Sequence, residues 1–144
     1  MSSSSWHDER REAADAQAQR AARLRADEIA QARVLVAGFV AEALRRGLPT
    51  SPLVARAGDT SDTYRTALVG WYLRRDGSLG ITDDGEMNTL VAPRSLSARL
   101  RGVTLEPAEP RLQAGIGARD GESVALATLL QLRLDAGDDW PIVR

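Results

Sequence analysis

The chain has 144 residues, 43% of them hydrophobic, with 19 basic residues, 20 acidic residues, one histidine and no cysteine. That is apolar material for one packed domain, while a net charge of −1 lacks the positive field that a nucleic-acid coat or a polybasic membrane anchor needs. Without cysteine there is no disulfide framework, thiolate metal site or thiol chemistry, and no apolar run reaches the roughly 18 residues of a membrane span, so a cytoplasmic protein is expected.

Met1 to His7 is Ser-rich and is expected to be disordered. From Asp8 to Arg46 there is no proline, one glycine (Gly38) and a predominance of Ala, Arg, Glu, Gln and Leu, which predicts one long helix. Ala22, Ala26, Ile29, Val36, Val40 and Ala43 form a stripe widened by Leu24, Leu35, Phe39 and Leu44, so the second half is expected to cover a sheet. A helix of this length spans roughly 58 Å, more than a small domain can cover. Residues 1–21 are therefore expected to be a flexible or projecting extension. Either they pair with another chain through Ala14, Ala18, Ala21 and Ala22, giving a homodimer, or they stay solvated. Gly47, Leu48 and Pro49 stop the helix.

Thr50 to Thr63, with Pro52, Gly58 and small polar residues, reads as a linker with a short turn at Leu53 to Ala57. Tyr64 to Ala92 reads as an antiparallel meander with turns at Asp76-Gly77 and Asp84-Gly85. Because strand faces alternate, loops of odd length put Leu73 opposite Leu79, Trp71 opposite Ile81 and Ile81 opposite Met87. One face then carries Val69, Trp71, Leu73, Leu79, Ile81, Met87 and Val91, under the long helix. The other, with Gly70, Tyr72, Arg74, Gly80, Thr82 and Asn88, is expected to meet water.

Pro93 to Gly102 predicts a short helix with Leu96 and Leu100 on one face. Val103–Leu105 and Leu112–Ile116 are candidate edge strands, limited by Pro107 and Pro110. Glu122 to Leu134 predicts a closing helix with Leu126, Leu129, Leu130 and Leu134 inward and Ser123 serving its start. Residues 137–144 form a tail in which Trp140 either docks elsewhere or buries against its own domain. The predicted fold is α+β: a long N-terminal helix on a small antiparallel sheet with a C-terminal helix, residues 22–136 making one domain.

At Gly70 to Leu90 and Arg119 to Leu126 (RDGESVAL) the chain resembles short uncharacterised proteins of high-GC actinobacteria. All basic residues are arginine, which fits such a genome. The resemblance implies a source and carries over no activity and no site residues.

For catalysis the inventory is thin. The one histidine, His7, lies in the N-terminal tip, no lysine is present, and Ser123 in Gly-Glu-Ser-Val-Ala misses the nucleophile-elbow pattern, so no enzyme and no cofactor is expected. Asp83, Asp84 and Glu86 lack the ligand ladder of a calcium loop, and with Asp138 and Asp139 read as solvated turns. Gly115 to Gly121 resembles a phosphate-binding loop, but Asp120 stands where the dinucleotide fingerprint needs a third glycine. Arg74, Arg94, Arg99 and Arg101 with Tyr72 offer a possible phosphate-contacting patch. The leading expectation is a protein-interaction module with Tyr72, Arg74, Arg94, Arg99, Arg101 and Trp140 as its candidate surface. The alternatives are a nucleic-acid binder through the arginines and a nucleotide or small-ligand binder through Gly115 to Gly121.

Overall fold

The computed structural model describes residues 3–58, 60–115 and 123–142. In chain order it contains α1 (Ser3–Arg45), β1 (Ser51–Ala57), β2 (Thr63–Tyr72), β3 (Leu79–Thr82), β4 (Met87–Thr89), β5 (Val91–Ala92), α2 (Leu96–Arg101), β6 (Gln113–Gly115), β7 (Ser123–Ala125) and α3 (Leu126–Ala136). The fold is α+β, as the sequence predicts. The main sheet has five strands in the order β4-β3-β2-β1-β5, and it is mixed, because β1 runs parallel to β5.

The meander has the predicted register. Trp71 faces Ile81 and Ile81 faces Met87, and Leu73 donates its N–H to the Leu79 carbonyl at 2.8 Å. Both loops turn on a left-handed glycine, Gly77 at φ 73° and Gly85 at φ 93°, a conformation glycine adopts without a Cβ clash. Trp71, Leu73, Leu79, Ile81 and Met87 are buried against Val36, Phe39 and Val40 of α1 and Leu126, Leu129 and Leu130 of α3. Trp71 meets Phe39 edge to face, with ring centroids 5.6 Å apart, and its indole N–H donates to the Leu48 carbonyl.

The predicted linker is instead a strand. β1 buries Leu53, Ala55 and Ala57 on alternate positions, a pattern muted in the sequence by small side chains and by Pro52, which the strand accommodates with an irregular register between Pro52 and Val54. β4 and β5 are separated only by Leu90. Its N–H donates to the Ser78 carbonyl and its carbonyl accepts from the Arg56 N–H, each at 2.8 Å. One run of chain thus supplies both outer strands, β4 beside β3 and β5 beside β1, and the sheet curls round on itself.

That curvature reverses the expectation for the second face. Along β2, Tyr64 is buried and Thr66, Leu68 and Tyr72 are half-buried, while Arg65, Ala67 and Val69 are exposed until α1 and α3 cover the strand at Trp71. The face expected to meet water is the inside of the curl. Leu53 and Leu90 fill the space beside Gly80, and Thr82 and Asn88 are buried. Val69 and Val91, expected in the core, are exposed at 41% and 36% because they lie beyond the helices' cover.

Helix α1 starts at Ser3, so residues 3–7 are helical where disorder was expected; nothing before Asp8 breaks a helix, and serine suits a first turn. Burial begins later than predicted. Residues 3–27 are exposed throughout, including Ala22, Leu24 and Ala26, Ile29 is half-buried, and the buried positions are Ala32, Val36, Phe39, Val40 and Ala43.

Helix α2 forms within the stretch the sequence predicts, and its leucine face points outward. Ser95 caps it by accepting from the Ala98 N–H, and Ala98 is the buried residue, packed with Ala55, Ala57, Tyr64 and Ala92 in a second, smaller core. Leu96 and Leu100 face outward. The candidate strand at Val103–Leu105 is not a strand; the Val103 N–H donates to Arg65. β6 and β7 form a hairpin, so Ser123 lies in a strand and α3 begins at Leu126 without a side-chain cap. Leu126, Leu129, Leu130 and Leu134 point inward as predicted.

Candidate interaction surfaces

The six candidate surface residues do not gather into one site. Tyr72 is half-buried, and its hydroxyl accepts from the Val54 N–H at 3.0 Å. Arg74 reaches the Ser78 hydroxyl at 3.4 Å. Trp140 folds back onto the domain, its ring under the Arg75 and Arg133 guanidiniums at 4.9 and 5.8 Å and against the main core. Arg133 is itself buried and holds this corner by donating to the carbonyls of Tyr72 at 2.9 Å and Gly137 at 2.7 Å. Burial pushes its pKa down, partly offset by Asp138. Arg94 and Arg99 do come together, lining a depression of about 180 Å³ with Asp62, Tyr64, Ser95 and Leu96. Arg101 lines another with Arg65.

Of the Gly115 to Gly121 loop, residues 116–121 lie outside the described residues, as does the 119–122 part of the resemblance motif. The acidic turn is built for itself: Asp84 accepts from the Thr82 hydroxyl, which in turn accepts from the Glu86 N–H. Among the described residues no group of three or more His, Asp or Glu side chains is placed to hold a metal, and no helix is long and apolar enough to cross a membrane.

The surface that sequence reasoning passed over is the far side of α1. From Ile29 to Leu44 only Gln31, Arg33 and Glu42 interrupt an apolar run. Positions 32, 36, 39, 40 and 43 face the sheet. Positions 30, 34, 37, 41 and 44, at alternating spacings of four and three, form a second stripe about opposite to them. All five are exposed, Val34 at 71% and Leu44 at 57%. Beside this stripe runs a groove of about 350 Å³ between α1 and α3, floored by Leu35, Phe39, Leu130 and Leu134, with Gly38 leaving an opening in its wall. The signal was present in the sequence as an apolar run too dense for a helix covered on one side.

At the end of this stripe Glu42 accepts from Arg45 at 2.9 Å and Arg46 at 2.8 Å. These bonds, Arg45 first, hold its carboxyl at about 2, well below the ordinary 4.5. No protein family, curated protein or solved structure matches this chain.

Proposed function

We propose that the chain is a non-enzymatic cytoplasmic module that docks to another protein through the uncovered side of α1, with a second copy as its first partner. One observation carries this reading: the stretch from Ile29 to Leu44 is apolar nearly all round, yet only its sheet-facing side is covered. A helix of that composition is ordinarily buried on all sides. The stripe at 30, 34, 37, 41 and 44 has the seam spacing by which helices pair, and alanines let two backbones approach closely. A homodimer, which the sequence offers through Ala14, Ala18, Ala21 and Ala22 as one of two alternatives, has this support further along the same helix.

The test is mass in solution by light scattering, for the wild type and for Val34→Asp with Leu44→Asp. Both positions are exposed, so the double variant is expected to keep its circular dichroism while shifting from dimer to monomer. A wild type that is monomeric at every concentration removes self-pairing. The broader docking reading fails if a photo-crosslinking residue at position 37 captures no protein in cells that it does not also capture in the double variant.

A further inference from the structure

The outward turn of α2 exposes Leu96 at 79% and Leu100 at 77%, the most exposed of the large apolar side chains among the described residues. One turn apart, they share a face. Around them stand Arg94, Arg99 and Arg101, none of which makes a side-chain hydrogen bond or ion pair among the described residues. Arg65 adds a fourth guanidinium, donating to the Leu100 carbonyl at 2.9 Å and so tying the helix to β2. Asp62 is the carboxylate that lines the Arg94–Arg99 depression. In a chain of net charge −1 this gathers four guanidiniums around two bare leucines, with Asp62 as the carboxylate beside them among the described residues. Of the four, only Arg65 has a role in holding α2, which is otherwise anchored through Ala98 and the Ser95 cap.

We infer that α2 is a second docking surface, distinct from α1, and that it takes an acidic amphipathic segment of a partner protein. The partner's apolar side chains would cover Leu96 and Leu100, while a carboxylate would enter the depression between Arg94 and Arg99, whose volume of about 180 Å³ admits a single side chain. Charge complementarity of this kind sets specificity and association rate. Nucleic acid fits the surface less well: its centre is aliphatic, and the neighbouring aromatic, Tyr64, is buried with its hydroxyl accepting from the Ser95 N–H, leaving no ring on which a base can stack.

The experiment titrates the full chain against a fluorescein-labelled peptide of Glu and Leu in amphipathic helical order. Its Gln-for-Glu counterpart, an oligothymidylate and phosphatidylcholine vesicles carrying phosphatidylserine are titrated in parallel. The acidic peptide is expected to bind with an affinity that falls as salt is raised. About tenfold should be lost both in Arg94→Glu with Arg99→Glu and in Leu96→Ser with Leu100→Ser. All four positions are exposed, so circular dichroism and thermal melting should be retained, and Val34→Asp with Leu44→Asp should bind as the wild type does. The inference is overturned by failure of the acidic peptide to bind, by equal binding of its Gln counterpart, by indifference to both double variants, or by tighter binding of the oligonucleotide or the vesicles.

Discussion

Tyr72 shows how a residue that reads as surface from the sequence acquires an internal task. Its hydroxyl satisfies the Val54 N–H where β1 bends, and an amide left without its acceptor in a part-buried site costs about 1–3 kcal/mol. Tyr72→Phe is therefore expected to lower stability by about 1 kcal/mol in a urea titration; unchanged stability would return the residue to the list of surface candidates. Glu42 makes a different prediction. Its folded-state carboxyl is depressed to about 2, so the stability it contributes is present above the ordinary carboxylate range and is lost as pH falls from about 4.5 towards about 2. The melting temperatures of wild type and Glu42→Gln should differ at neutral pH and converge near pH 2. A gap that persists there would assign the effect of Glu42 to packing.

Among elements, legibility tracked the size of the side chains. Trp71, Leu73, Ile81 and Met87 admit one register because a slip by one residue moves every large side chain to the wrong face, so the meander is readable without coordinates. β1 carries the same alternation in Leu53, Ala55 and Ala57, but alanine in a strand gives little signal and the proline at position 52 argues against one. α2 was legible as a short helix, but side-chain size did not tell which of its sides is buried. Its large side chains, Leu96 and Leu100, share a face that stays outside, while the small Ala98 is the residue packed with Tyr64. α1 itself was readable as a helix, but where its cover begins is set by the reach of the sheet. Since residues 3–27 bury nothing, deleting residues 1–24 should leave the slope of urea unfolding unchanged, because that slope follows the surface exposed on unfolding. A shallower slope would mean that the projecting segment packs against something in solution.

At the scale of the molecule, the large apolar groups bind the barrel-like sheet to α1 and α3, whereas alanines and Tyr64 fill the smaller core under α2. The two surfaces proposed for docking sit over these two cores and differ in chemistry, one an aliphatic seam and the other leucines ringed by arginines. Both were hard to see in the sequence because a helical stripe is assigned to the inside by default, and a chain with apolar residues to spare gives no sign of which it leaves out.

The single segment that serves both outer strands, pivoting at Leu90, also bears on how this protein can meet others. Pro107 lies across β4 at Asn88, and the Ala108 N–H donates to the Met87 carbonyl, so the outer edge of β4 already has a partner within the chain. A bare rim is where foreign strands add on and where fibrils are templated. The docking proposed for α1 and α2 uses side chains standing on helices and no such edge, and contacts of that kind can be tuned or withdrawn without unzipping the domain that displays them.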